Sequence, residues 1–144
     1  MLLKTLNNRK KLEEIAKEND RTTYITYLDA LNRYGLITEA PYALQCATIT
    51  DTRIMKTKNG EIQFFKIPQD THQGYIKTPQ HALQIAEPEK ALIDAIWITE
   101  EHGINPDWTE HLEWKQLDMK KIKKYASMMG INNLEDYFKR SRVD

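Results

Sequence analysis

The chain has 144 residues, with 21 Lys and Arg against 21 Asp and Glu, 40% hydrophobic residues, five Gly, five Pro and one Cys. This length and composition favour a single globular domain over residues 1–144 and exclude a disulfide scaffold, a collagen-like repeat and a disordered tail. The zero net charge removes the general electrostatic reason to expect binding to nucleic acid or to an anionic membrane, while permitting a local basic patch.

The sequence gives no sign of a membrane segment or of export. It contains no run of about 18 apolar residues, and Met1 to Lys4 are followed by charged residues rather than by the apolar core of a signal peptide. The single cysteine, Cys46, cannot form an intrachain disulfide, which fits a reducing compartment. We therefore expect a cytoplasmic protein without membrane contacts.

The first predicted element is an N-terminal helix within residues 1–20. Its apolar residues recur at the spacing of one helical face. Glu13 and Lys17 are four residues apart, so they are placed to form an ion pair on the outside of the helix. Residues 22–25, rich in Thr and Tyr, then predict a short strand.

A second helix is predicted to begin after Thr26. Thr26 and Asp29 approximate a capping box, in which the hydroxyl accepts a hydrogen bond from the backbone of the first turn. We expect the Thr26 side chain to be such a cap rather than a ligand. Gly35 ends the helix because it accepts the left-handed conformation that follows many helices.

The middle of the chain is dominated by strand-forming residues. Residues 53–58 and 61–67 flank Asn59-Gly60, which predicts a β-hairpin because both turn residues tolerate positive φ. Two shorter strands are predicted at 74–77 and 81–86, separated by a turn that contains a proline.

The second half of the chain is predicted to be helical. Pro88 suits the first position of a helix, and a core helix is predicted at about 88–101. Two C-terminal helices follow at 117–129 and 132–140. The whole pattern predicts an α+β fold, in which helices before and after a small, mostly antiparallel sheet pack on it.

Residue types make several kinds of catalytic site improbable. The glycines are too widely separated to form a phosphate-binding loop. Cys46 lies in a predicted strand, where a small packed hydrophobe is the usual role. His111 and Glu113 have the spacing of a zinc-deaminase motif, but the two downstream cysteines of that motif are absent. We expect no enzymatic activity, no cofactor and no metal site.

Two groups of basic residues are candidates for nucleic-acid binding. One group lies on the polar side of the helix predicted at 117–129, and the other lies near the hairpin turn. Each group could contact phosphates, and the hairpin could do so as a DNA-binding wing. Alternatively, each group could simply be a solvated surface, which is the commoner case. The candidates are Lys120, Lys121 and Lys124 on the helix and Lys56 and Lys58 on the hairpin.

Three segments resemble a known protein family. They are Tyr24-Ile25-Thr26 with its continuation to Ile37, the Thr-rich stretch 48–53 that ends in arginine, and residues 85–94, Ile-Ala-Glu-Pro-Glu-Lys-Ala-Leu-Ile-Asp. Together with the Asn-Gly hairpin and the helix near residue 120, they make residues 22–140 similar to the C-terminal domain of AbiEi-family antitoxins.

This resemblance implies a non-enzymatic antitoxin of a bacterial type IV toxin–antitoxin system, used in abortive infection and phage defence, or a related transcriptional regulator. In that family the antitoxin counteracts a nucleotidyltransferase-like toxin without forming a stable complex with it. An N-terminal winged helix binds the promoter. Only 21 residues precede Thr22, so we expect no winged helix. No feature of the sequence indicates an oligomeric state.

The resemblance also implies an antitoxin surface formed by Arg53, Glu89, Lys90 and Asp94. Lys90 and Asp94 are four residues apart and could equally form an ion pair along their helix, a structural role. Arg53 could bind a phosphate or carboxylate through two hydrogen bonds, or pair with a neighbouring acid. Glu87 stands where the family has threonine, and its carboxylate still favours the positive end of the helix.

Overall fold

The computed structural model describes residues 2–141, and for residues 2–7 only the backbone. Met1 and residues 142–144, the ends of the predicted domain, lie outside the described residues. The described part contains five α-helices: α1 (Leu2–Asn19), α2 (Tyr27–Arg33), α3 (Pro88–Glu101), α4 (Met119–Met128) and α5 (Leu134–Arg140). Its strands are β1 (Tyr24–Ile25), β2 (Leu44–Thr48), β3 (Arg53–Thr57), β4 (Gly60–Lys66), β5 (Tyr75–Ile76) and β6 (Gln84–Ala86).

The six strands form one mixed sheet in the order β3-β4-β2-β1-β6-β5. Three neighbouring pairs are antiparallel: β3 with β4, β2 with β1, and β6 with β5. The other two, β4 with β2 and β1 with β6, are parallel. The predicted α+β fold is confirmed.

Helices cover both faces of this sheet. Helix α1 packs against β2 and β4, whereas α2 packs against β2 from the face on which Tyr27 meets the Phe65 ring, 5.2 Å between centroids. Helix α3 packs beside α2, and α4 packs on α3. Strand β2 is buried at every position, as expected for a strand that is covered on both sides.

The hairpin is present, but its turn lies one residue earlier than the sequence predicts. Thr57 pairs with Gly60, so Lys58 and Asn59 form the two-residue loop. Gly60 has a positive φ of 136°, while Asn59 does not. The Thr57 hydroxyl accepts a hydrogen bond from the Asn59 backbone at 3.0 Å, which holds the loop without left-handed geometry at Asn59.

Helix α3 is the central helix of the molecule and has the predicted bounds. Pro88 occupies its first turn, where a missing N–H is harmless. Unlike a surface helix with one apolar face, it is buried almost all round, from Glu89 to Ile96 without interruption, because α2, α4 and the sheet surround it. The charged residues within this buried stretch, Glu89, Lys90 and Asp94, therefore lie in the interior.

The junction between β1 and α2 is unusually sharp, with Thr26 alone between strand and helix. Tyr27, the first residue of α2, has a φ of +60°, and it is the only non-glycine with a positive φ in the range 2–141. This conformation is costly for a bulky side chain. Thr26 donates its backbone N–H to the Gln45 carbonyl at 3.0 Å, and the Tyr27 ring packs on Phe65, so both sides of the junction are fixed.

Candidate functional site

Lys90 and Asp94 lie one helical turn apart on α3 and form an ion pair, with 2.5 Å between Nζ and Oδ1. Both side chains are 0% exposed. They were expected on a surface, and this part of the prediction is wrong, because α3 is enclosed by its neighbours. The structural alternative, a pair along the helix, is the arrangement observed.

Two residues from the β1–α2 junction complete this pair. The Tyr24 hydroxyl donates to Asp94 Oδ2 at 2.7 Å and accepts a hydrogen bond from Lys90 Nζ at 2.9 Å. The Thr26 hydroxyl donates to the same Oδ2 at 2.7 Å. These four residues, Tyr24, Thr26, Lys90 and Asp94, are all fully buried, and we call them the motif network.

The motif network balances charge inside the core. An ion taken out of water loses several kcal/mol of solvation, which is recovered only when partners and hydrogen bonds replace the water. Asp94 has three such partners, and the positive charge of Lys90 neutralises it. Burial, together with the Asp94 carboxylate, raises the pKa of Tyr24 well above its ordinary value. The phenol therefore stays protonated and remains a donor.

Aromatic rings and a close backbone approach enclose the network. The Tyr24 ring stacks on Tyr75 with 4.8 Å between centroids, and His72 meets both rings edge-on. Gly74 lies so near that a Cβ there would be 2.9 Å from Lys90 Cγ and 3.0 Å from the Tyr125 ring. The packing shields the ion pair from solvent, and the pair ties β1 and the start of α2 to α3, which is a structural role.

Thr26 occupies the N-cap position of α2, but its side chain makes no capping hydrogen bond. The predicted capping role is therefore wrong. Its hydroxyl bonds to Asp94 instead, and Asp29 is used elsewhere, accepting a hydrogen bond from the Arg33 side chain. The Thr26 hydroxyl thus bonds to Asp94, 68 residues away in the sequence, instead of capping its own helix.

Glu89 is also buried rather than on a surface. Its carboxylate accepts a hydrogen bond from the Asp118 backbone at 2.9 Å, and Asp118 in turn caps α4 through the Lys120 backbone. The preceding Glu87 accepts hydrogen bonds from the Tyr125 hydroxyl at 2.5 Å and from Lys121 at 3.0 Å. These bonds, with the Tyr125 bond the largest contribution, lower the pKa of Glu87. Both acids hold α4 against α3.

Arg53 is the one antitoxin-surface candidate with a partly exposed side chain. Its guanidinium lies 3.3 Å from Asp51 and stacks on the Phe64 ring, 3.9 Å from the centroid. It stands on β3, three strands away from Tyr24 on β1, a distance of about 14 Å at ordinary strand spacing. Arg53 therefore does not belong to the motif network, and the four candidates do not form one surface.

The basic candidates are all exposed and form two separate groups. Strand β3 and its hairpin, with Lys56 and Lys58, lie at one edge of the sheet. Helix α4 lies near the other edge, because Tyr125 approaches Gly74 just before β5. Of the α4 lysines, Lys121 pairs with Glu87, an exposed contact of small energetic value. The five candidates are Lys56, Lys58, Lys120, Lys121 and Lys124.

A second buried charge cluster joins the two halves of the chain, and sequence reasoning missed it. Arg33 donates to Glu13 at 2.9 Å and to Asp29 at 2.8 Å, so Glu13 does not pair with Lys17 as predicted. His81 Nδ1 lies 3.1 Å from the Arg33 guanidinium. Burial, followed by the charge of Arg33, lowers the pKa of His81. A guanidinium can only donate, so Nδ1 accepts and the ring is neutral.

Three further observations concern metal binding, membrane helices and cavities. Within residues 2–141, no group of three or more His, Cys, Asp or Glu side chains is placed to hold a metal ion. The same residues include no helix with the length and apolar character needed to cross a membrane. A cavity of about 430 Å³ at the end of α3 is lined by Trp97, Glu100, Glu101 and the α4–α5 connection, and this lining includes none of the candidate residues.

No protein-family model matches the chain, and no curated protein matches it significantly.

Proposed function

We propose that this chain is an antitoxin or regulatory domain of a bacterial type IV toxin–antitoxin system, the function that its resemblance to AbiEi-family antitoxins implies. In this proposal it counteracts a nucleotidyltransferase-like toxin without enzymatic activity and without a stable complex. It acts in the cytoplasm, as part of abortive infection and phage defence.

One observation carries the proposal. The two segments with the clearest resemblance, Tyr24-Ile25-Thr26 and residues 85–94, meet in the motif network, where Tyr24 bonds to an aspartate 70 residues away. A buried ion pair with two hydroxyl partners tolerates few residue combinations. The resembling residues are thus those on which this fold depends, which supports a shared fold with the family and, through it, a shared function.

The burial of the network changes where the activity is expected. Lys90 and Asp94 would act by holding β1, α2 and α3 together, while exposed side chains would make any contact with other molecules. Arg53 is the remaining accessible candidate, since about a quarter of its side chain is exposed. We expect Arg53→Gln to reduce antitoxin activity without unfolding the protein.

Co-expression tests the proposal. Bacteria expressing a nucleotidyltransferase toxin encoded beside this gene should resume growth when the chain is co-expressed, and the two proteins should not co-elute on gel filtration. Arg9→Gln, the same change at an exposed arginine of α1, should protect as well as the wild type. Growth arrest in the presence of folded wild-type chain would overturn the proposal.

A nucleic-acid-binding regulator is the second candidate, because Lys120, Lys121 and Lys124 are all exposed along one helix. In gel shifts with duplex DNA, affinity should fall with salt, with a log–log slope of about −0.9 for each phosphate contact. Lys120→Gln with Lys124→Gln should reduce this slope by about two. Absence of binding at low salt would exclude this candidate.

A further inference from the structure

A cationic cavity lies on the opposite face of the sheet from the motif network. It has a volume of about 280 Å³ and lies between the end of α1, β1 and the β5–β6 connection. Thr23 lines it from the α1 face, because Tyr24, the next residue, points to the α3 face. The lining residues are Lys17, Arg21, Thr23, Lys77, Ala82, Leu83 and Gln84.

Among the described residues, the lining contains three cations and no acid. None of Lys17, Arg21 and Lys77 forms an ion pair with a carboxylate of residues 8–141. Lys77 donates to the backbone carbonyls of His81 and Ala82, which fixes its ammonium at the cavity and leaves one of its three protons unused. Three positive charges therefore gather around one opening without a counter-charge.

Two carboxylates adjoining the cavity lining, those of Asp20 and Glu13, already have partners. Asp20 accepts hydrogen bonds from Thr22, from the Thr48 hydroxyl at the end of β2 and from the Thr50 hydroxyl just after that strand. Although burial raises the pKa of Asp20, these bonds together lower it, so the carboxylate stays charged where it is. Glu13 accepts from Arg33 and from the Ala82 backbone. Neither acid is free to neutralise the cavity.

An unpartnered hydroxyl is the independent sign of a ligand. Thr23 is 1% exposed, and its Oγ1 has no hydrogen-bond partner among the residues that the structure describes. A buried hydroxyl without a partner destabilises the folded state, and such groups are rare in folded proteins. A ligand oxygen in the cavity would provide the missing acceptor.

From these features we propose that the cavity binds a small molecule carrying a phosphate monoester. A phosphate monoester has a charge near −2 and three strong acceptor oxygens, which match three cations and one hydroxyl donor. The cavity is larger than a phosphate group alone would fill, so it has room for a small organic group attached to the phosphate. Its volume is close to the lower end of the range for ordinary ligand pockets. This site is independent of the proposed antitoxin activity.

NMR titration of the full chain tests the proposal, with ribose 5-phosphate as the probe and ribose as the neutral control at constant ionic strength. Ribose 5-phosphate should shift the amide signals of residues 17–23 and 77–84 saturably, and ribose should not. Arg21→Gln should weaken binding about tenfold, whereas Arg9→Gln should leave it unchanged. Equal effects of both arginine variants, or shifts with ribose alone, would overturn the proposal.

Thr23→Val is the sharper variant because it is nearly isosteric and removes a hydroxyl that has no partner in the free protein. Its unfolding midpoint should be unchanged or raised, while binding of ribose 5-phosphate should weaken about fivefold. Unchanged binding by folded Thr23→Val would contradict the assignment. A short DNA duplex that shifts the same signals at lower concentration would also overturn it, since the site would then be one for a nucleic-acid backbone.

Discussion

Helices α3 and α4 pack against each other but hold their charges in opposite environments. On α3, Lys90 and Asp94 are completely buried and share their hydrogen bonds with Tyr24 and Thr26. On α4, the lysines are exposed, and the ion pair that Lys121 forms with Glu87 is open to water. The charges on α3 are stabilised by fixed protein partners, whereas those on α4 are stabilised mainly by water.

This difference teaches that charged residues in a sequence motif need not form a binding surface. Each member of the motif network depends on the others, because no water can take the place of a partner that a buried charge loses. An exposed lysine on α4 has water as its alternative partner, so its neighbours can change freely. The recognisable motif lies in the interior, while the residues available for contacts lie outside it.

The largest expected effect comes from breaking the buried pair. Lys90→Met leaves the Asp94 carboxylate in the core without a positive partner, and it should lower the free energy of unfolding by about 3–5 kcal/mol. Urea denaturation followed by circular dichroism measures this loss. A loss below about 1 kcal/mol would mean that the network contributes no more than a surface pair.

A double variant separates charge from packing in the same network. Adding Asp94→Asn to Lys90→Met removes the unpaired charge and keeps an oxygen that can accept from Tyr24 and Thr26. The double variant should therefore recover much of the lost stability, with a coupling energy of about 0.5–3 kcal/mol between the two positions. Strictly additive losses would contradict a direct interaction between the two residues.

The next largest effect is expected at Gly74, which determines how closely the chain passes the network. Gly74→Ala adds a Cβ 2.9 Å from Lys90 Cγ at a residue with a φ of +82°, and overpacking costs about 1–3 kcal/mol. Gly103→Ala is the matched control, because φ there is also positive, +61°, but the space is open. Thermal unfolding should show a larger loss of stability for Gly74→Ala than for Gly103→Ala. Equal losses would mean that backbone strain, rather than the contact with Lys90, accounts for the whole effect.

Much of the fold follows from local sequence signals. Helix α3 has its predicted bounds because a proline marks its start and a glycine follows its end, and the hairpin is present because two β-prone runs flank a turn sequence. The turn is shifted by one residue, since cross-strand pairing of Thr57 with Gly60 decides the register. The parallel pairings of β2 with β4 and of β1 with β6 have no local signal and depend on the tertiary fold.

The site was less predictable than the fold. The spacing of Lys90 and Asp94 indicates an ion pair, but spacing within one helix does not reveal that the whole helix is enclosed. Tyr24 and Thr26 reach Asp94 across about 70 residues, and Thr26 carried a stronger local signal for a helix cap. The apolar character of α3 on several faces was the available sign that its charged residues would be buried.

A smaller effect, dependent on pH, is expected at His81. Its pKa in the folded protein is lowered from an ordinary value of about 6.5, so as the pH falls below about 6.5 the unfolded chain takes up the proton first. Stability should therefore decrease between neutral pH and the lowered pKa. Urea unfolding of wild type and His81→Gln across this range measures the effect, and parallel curves for the two proteins would exclude His81 as its source.

The smallest effect on stability is expected for the exposed lysines of α4. Lys120→Gln with Lys124→Gln should change the free energy of unfolding by no more than about 0.5 kcal/mol, because these side chains are in water in both the folded and the unfolded chain. Lys121→Gln, which loses the exposed pair with Glu87, should cost up to about 1 kcal/mol. Urea denaturation of these variants beside Lys90→Met completes the comparison of the two helices. A loss from the Lys120 and Lys124 changes as large as that from Lys90→Met would show that α4 is no less dependent on its charges than α3, and would remove the distinction between them.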